Sequence, residues 1–207
     1  MLAFTKKEIA LMNRLNTPAK IQDFLNKIPK NFERNGKDTV KSPILVLRTN
    51  SAHCIEGAML GAYILSLHGH KPVLMNLAST NDDYDHVIAP FKIKGLWGAL
   101  SKTNHPVLRY REPVYKTIRE LVMSYFHEYF LNNGQKTLKR YSALLNLNDF
   151  EPYWMLQDGD LWGIDEELDK IKYYEIAPKE FLKSLRKADP IERKAGKLAE
   201  WRNENHR

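Results

Sequence analysis

A chain of 207 residues with 43% hydrophobic and 28% charged residues has ordinary globular usage and the length for one well-filled core, which excludes a disordered chain and makes a single domain the default. The formal charge of +7 raises nucleic-acid binding as a function. Yet the Lys and Arg residues are dispersed among acids, and the densest runs, Lys183 to Lys187 and Arg193 to Lys197, fall on a solvated C-terminal helix pattern, which argues against nucleic acid as the main partner. No apolar run reaches the roughly 18 to 20 residues of a bilayer span. The first residues build no signal-peptide core and a lone cysteine permits no internal disulfide, so the expectation is a cytoplasmic protein with no membrane partner.

In chain order, Lys6 to Leu15 is a short amphipathic stretch. Thr17-Pro18 reads as an N-cap followed by proline at the first helical position, opening a helix that turns Ile21, Phe24, Leu25 and Ile28 inward and stops at Pro29. Asn31 to Ser42 is polar and glycine-bearing, an exposed connection. Pro43 to Leu47 is an apolar run of strand length, a strand or an extended lead-in. Thr49-Asn50-Ser51 then supplies turn and cap chemistry, and Cys54 to Leu67 is apolar and rich in small residues with Glu56 as its one charge, the pattern of a buried helix ended by Gly69. Pro72 to Leu77 is a strand and Ser79 to Asp85 an acidic loop. His86 to Ile93 and Leu96 to Leu100 form a hairpin across Lys94-Gly95, with Pro90 placing the first strand at an edge or a bulge. Proline at the start, Ile118, Leu121, Val122, Tyr125 and Tyr129 in register, and Asn133-Gly134 at the end predict one long helix over 113–131. Thr137 to Leu145, the aromatic stretch Tyr153 to Trp162, and helices near Asp165 to Lys172 and Pro178 to Asn203 read as cover.

The chemistry concentrates around Cys54. A thiolate is the nucleophilic form of cysteine, and its pKa falls at a helix N-terminus beside an imidazolium. Cys54 opens the buried helix, and the first-turn N–H groups there suit a developing oxyanion. His86 is the candidate base, because it begins a strand directly after a loop, where its ring projects toward a helix start. The tight turn at Lys94-Gly95 brings residue 101, at the end of the second strand, beside His86. Asn50 or Ser51 is the candidate upstream oxyanion donor. His53 adjoins the sulfur in sequence, but neighbouring side chains on an incoming turn diverge, so its expected place is behind the reacting groups. Arg109 and Arg111, with Tyr110 between them, are candidates to clamp a carboxylate or phosphate, against ion pairing with Glu112 or with the buried Glu56. The Asp82 to Asp85 run lacks the ligand spacing of a calcium loop and reads as a solvated acidic loop. His68 and His70 lack zinc spacing and read as exposed at a helix end; no metal and no cofactor is expected.

The order His53-Cys54-Ile-Glu-Gly-Ala58, Asp85-His86-Val87-Ile88, and Lys94-Gly95-Leu96-Trp97-Gly98-Ala99-Leu100-Ser101 resembles the transglutaminase-like family, relatives of the papain-like enzymes, over roughly Pro43 to Thr103. The resemblance implies an α+β fold with a papain-like or transglutaminase-like core, a buried nucleophile helix packed on a small antiparallel sheet, and additional N- and C-terminal helices. With the chain length and the flanking patterns read above, the expectation is one domain divided into an N-terminal helical segment at 1–42, a transglutaminase-like core at 43–112 and a mainly helical covering region at 113–207. Trp97 falls where the family places its tryptophan and joins Arg109 and Arg111 as a substrate-binding candidate. The family pattern expects aspartate where this chain has Ser101; papain-like relatives use asparagine as the third member, which makes Asn104 a second candidate to orient His86. Cys54 and His86 are thereby expected to perform acyl transfer or hydrolysis on a peptide, isopeptide or glutamine-amide substrate. The competing expectation is a binding module of the same fold whose catalysis has lapsed, and Ser101 is the feature in its favour.

Overall fold

The computed structural model describes residues 2–33 and 36–202. Two capped helices open it. The Thr5 hydroxyl accepts from Glu8 N and the Glu8 carboxylate accepts from Thr5 N, a reciprocal cap on α1 (Lys6–Arg14). Thr17 caps α2 (Pro18–Lys27) through Lys20 N, and Ile21, Leu25 and Ile28 are buried, with Phe24 packed at the margin. The apolar run after Ser42 is α3 (Pro43–Thr49), a helix and not the strand its length suggests. Proline at its first turn has its φ already set for helix, and Asn50, at a φ of 46°, ends it in the left-handed region. Next comes α4 (Cys54–Leu67), buried along most of its length as expected, with Gly69 reversing the chain at a φ of 87°.

Strands β1 (Val73–Ala78), β2 (His86–Ile93) and β3 (Leu96–Ser101) form an antiparallel meander. Lys94 and Gly95 both carry positive φ, the geometry a two-residue hairpin turn requires. Period-two alternation assigns the faces. Leu74, Val87, Ala89, Phe91 and Leu100 pack with α1, α2 and α4, whereas Met75, Leu77, Ile88 and Ala99 pack against the opposite side. Pro90 sits in an interior strand, not at the sheet edge. The β1 register reaches β2 only from His86 to Ile88, so Pro90 lies beyond that pairing and faces no missing donor there.

The second half departs from the expected helical cover. Residues 113–131 are not one helix: β4 (Arg111–Tyr115) comes first, and α5 (Ile118–Phe126) starts only at the Thr117 cap. Pro113 is accommodated because β4 is an edge strand. The register of Leu121, Val122 and Tyr125 is real, and these residues cover the second face of the sheet. Further strands β5 (Arg140–Ser142), β6 (Leu145–Asn146) and β7 (Tyr173–Glu175) extend the sheet on the β1 side, so the region after 113 builds sheet as well as cover. Helices α6 (Trp162–Lys170), α7 (Lys179–Lys183) and α8 (Pro190–Gly196) complete it, while Asn203, the expected end of the last helix, lies outside the described residues. The protein is α+β, with a 7-stranded antiparallel sheet between two hydrophobic clusters. No helix among the described residues is long and apolar enough to cross a membrane.

Candidate functional site

Glu56 explains how the start of α4 is held. Its side chain is fully buried, and it accepts hydrogen bonds from His53 N (3.0 Å), Lys41 N (3.0 Å), Thr39 Oγ1 (2.8 Å) and Asn31 Nδ2 (3.1 and 3.2 Å), with Lys41 Nζ 3.7 Å away. A carboxylate can be enclosed when it is surrounded by donors in this way. The ion-pair partner is therefore Lys41, not Arg109 or Arg111. The segment after Asn31, expected as an exposed connection, is partly buried and wraps the helix start; among its described residues, Gly36 to Asp38 are exposed.

Cys54 emerges from this frame partly accessible. His53 does not diverge from it. The His53 ring stays close enough to the sulfur for each to shift the other's pKa, while its Nε2 lies 2.7 Å from Thr39 O and 3.5 Å from both Glu33 Oε1 and Glu56 Oε1. On the other side of the sulfur, β2 begins at His86. Ile88 pairs with Ser101, so His86 and Ser101 are diagonal neighbours on one face, and His86 Nε2 is 2.7 Å from Ser101 Oγ. The Ser101 hydroxyl donates to Leu108 O, which leaves it only acceptor capacity toward the ring. His86 Nε2 thus carries a proton, and Nδ1 is the ring nitrogen left for the sulfur or an incoming water; this assignment is made from the network. Gln22 of α2 clamps the strand end from both sides, donating to Ser101 O (2.8 Å) and accepting from Ser101 N (2.9 Å).

The electrostatics follow from this placement. Burial pushes the Cys54 thiol up, but the two imidazoles beside it, His53 and His86, outweigh that and hold the thiol well below its ordinary value. Burial opposes protonation of His53, yet the sulfur, Glu56 and Thr39 O together raise it to about 9. Replacing Ser101 with alanine strips Leu108 O of this donor and His86 of its orienting acceptor. The expected result is a loss of about 1–3 kcal/mol on denaturant titration.

A cleft of about 740 Å³ runs past these groups, lined among others by Cys54, His86, Tyr84, Lys102, Tyr129 and Phe130. Lys102 is a wall residue that sequence reading missed. It is buried at 3% exposure, donates from Nζ to Ile28 O, and is pushed down to about 8, chiefly by burial, with Arg109 adding to the shift and Glu200 opposing it. Its stem crosses Gly57 of α4, where an added Cβ would stand 2.4 Å from Lys102 Cβ. Strand alternation was the available signal, since the residue after Ser101 must face α4.

Other expected site residues take different parts, although Asn104 also lines the cleft. Asn104 exchanges both amide hydrogen bonds with the Trp201 backbone (2.9 and 2.8 Å), so it fastens the C-terminal segment and does not orient His86. Asn50 is exposed at the end of α3, and Ser51 Oγ accepts from Lys41 Nζ; neither lines the cleft. Trp97 lies near the hairpin turn under Lys92, away from the cleft lining. Arg109 pairs with Glu200 (3.0 Å), and Arg111 pairs with Glu128 (2.7 Å) over the Tyr125 ring. In the acidic loop, Asp85 ties Asn76 and Ser79 together just before His86, and Asp83 accepts from Thr137. His68 is half-buried with Nε2 3.1 Å from Met12 O, and His70 stands edge-on to Phe91. Among the described residues no three His, Cys, Asp or Glu side chains gather as a metal site.

Neither a family model nor a curated protein matches this chain. The site's own geometry has to carry the functional reading.

Proposed function

We propose that this protein is a cysteine-dependent hydrolase or acyltransferase of the transglutaminase-like, papain-like kind, acting on an amide or peptide-type substrate. The observation that carries the reading is a partly exposed Cys54 at the head of a buried helix, lining one cleft with His53 and with a His86 ring held by Ser101. Cys54 Sγ attacks the substrate carbonyl, and the first-turn N–H groups of α4, which a helix leaves without internal partners, receive the oxyanion. His86 takes up and returns protons through Nδ1, and Ser101 orients its ring. The cleft gives an extended chain access to the sulfur.

A second reading, a module that binds amide-bearing chains without cleaving them, is favoured by the uncharged hydroxyl at position 101. Iodoacetamide alkylation of the native protein against pH tests the first. Because the thiolate fraction rises as pH climbs through a lowered thiol pKa, the rate is expected to plateau well below pH 8. A rate that rises only near the ordinary thiol value, or labelling only after unfolding, overturns the enzyme reading. Release of p-nitrophenol from an activated acyl ester, in multiple turnovers and lost in Cys54→Ser, then separates the enzyme from the binding module.

A further inference from the structure

Ser101 leaves His86 without a charged partner. In cysteine–histidine pairs the third residue stabilises the imidazolium, but the Ser101 hydroxyl is neutral and its proton is already directed at Leu108 O. The negative charge lies across the sulfur. His53 Nε2 points at Thr39 O, an acceptor only, so that nitrogen bears a proton; Glu33 and the fully buried Glu56 stand 3.5 Å from the same atom. With 20% of its side chain exposed, the ring has little water to replace these acceptors. Resting on the thiol-enzyme reading above, we infer that the two histidines divide the chemistry: His53 is the imidazolium that takes and holds the Cys54 proton, and His86 is the base for the incoming nucleophile.

The protons balance. In the resting site the S–H bond breaks and an N–H bond forms on His53, giving a thiolate–imidazolium pair with no change in net charge. Attack by sulfur expels the amine, which leaves with the His53 proton. Water then adds to the thioester, giving a proton to His86 Nδ1, and the C–S bond breaks with its electron pair on sulfur. His86 returns the proton to sulfur, restoring thiol and neutral rings. Sequence adjacency permits this arrangement because His53 is the extended residue before α4, not a residue of its first turn, and the chain from Glu33 to Lys41 supplies the counter-charge. The ionisable groups around His53 are Cys54 and Glu56 of α4, Glu33 and Lys41 of the wrapping segment, His86 of β2 across the sulfur, and Asp165 of α6.

Ultraviolet thiolate titration and NMR titration of the histidine C2–H signals, both on the full chain, test the division. Expected are a low thiol inflection in the native protein and one histidine protonated up to about pH 9, its signal absent in His53→Gln. His53→Gln is expected to raise the thiol inflection and, at a pH below both inflections, to slow alkylation about tenfold for each unit of that rise. Cys54→Ser should lower the His53 inflection in turn, a reciprocal shift that a merely structural histidine would not show. An unmoved thiol inflection in His53→Gln, with a raised one in His86→Gln, overturns this division and leaves the thiol-enzyme reading standing. An ordinary thiol in the native protein overturns the reading itself. Should His53→Gln fail to fold, the Cys54→Ser titration decides: a His53 signal that titrates as before removes the inference.

Discussion

Glu56→Ala is expected to cost about 3–5 kcal/mol of stability, read as a shift in the urea midpoint at constant slope. The magnitude follows from what is left behind. With the carboxylate gone, Asn31 Nδ2, Thr39 Oγ1, Lys41 N and His53 N lose a buried acceptor at once, and Lys41 Nζ loses its counter-charge. Surface ion pairs in the same protein, such as Lys170 with Glu166, have no comparable enclosure, and their removal is expected to fall within about 1 kcal/mol. Glu56 also fixes the backbone before the nucleophile, so the variant should lose its low-pH alkylation even at temperatures where it remains folded. A midpoint unchanged within error would mean that the network is not holding the helix start.

His86→Ala is expected to slow turnover of an activated ester by about 10²–10⁴-fold, the usual range for removal of a positioned base. The loss should fall on the second half of the reaction. The initial burst of p-nitrophenol should survive at one equivalent while the steady phase collapses, because water addition to the thioester has lost its Nδ1 acceptor. Loss of the burst together with the steady phase would place His86 in thiol activation as well. Stability should change little, because the Ser101 hydroxyl keeps Leu108 O as its acceptor.

The site was legible in the sequence wherever local rules decide geometry. A turn at Lys94-Gly95 and strand alternation were enough to bring position 101 to His86, and apolar small residues after Cys54 were enough for a buried helix. Local rules misled where two patterns share a signature. Pro43 and its short apolar run fit helix or strand equally, and Pro113 opens a helix as readily as it sits in an edge strand, so β4 was read as part of α5. Nothing local could have found the partners of Glu56 or the role of Asn104. Those contacts join Thr39 and Lys41 to α4 across a loop, and Asn104 to Trp201 across most of the C-terminal half. The divergence of adjacent side chains places His53 behind the reacting groups, but a residue in extended backbone can fold its ring back alongside the sulfur when acceptors such as Thr39 O wait there.

The wrapping of α4 by the Asn31 to Lys41 segment makes the reactivity of the sulfur a property of the finished tertiary structure. A nascent or partly unfolded chain has neither caged histidine nor clamped strand end, and its single thiol behaves as an unremarkable one, sluggish toward electrophiles at neutral pH. Alkylation rate at mildly acidic pH is therefore a one-residue gauge of whether the N-terminal helices, the wrapping segment and the meander have all docked.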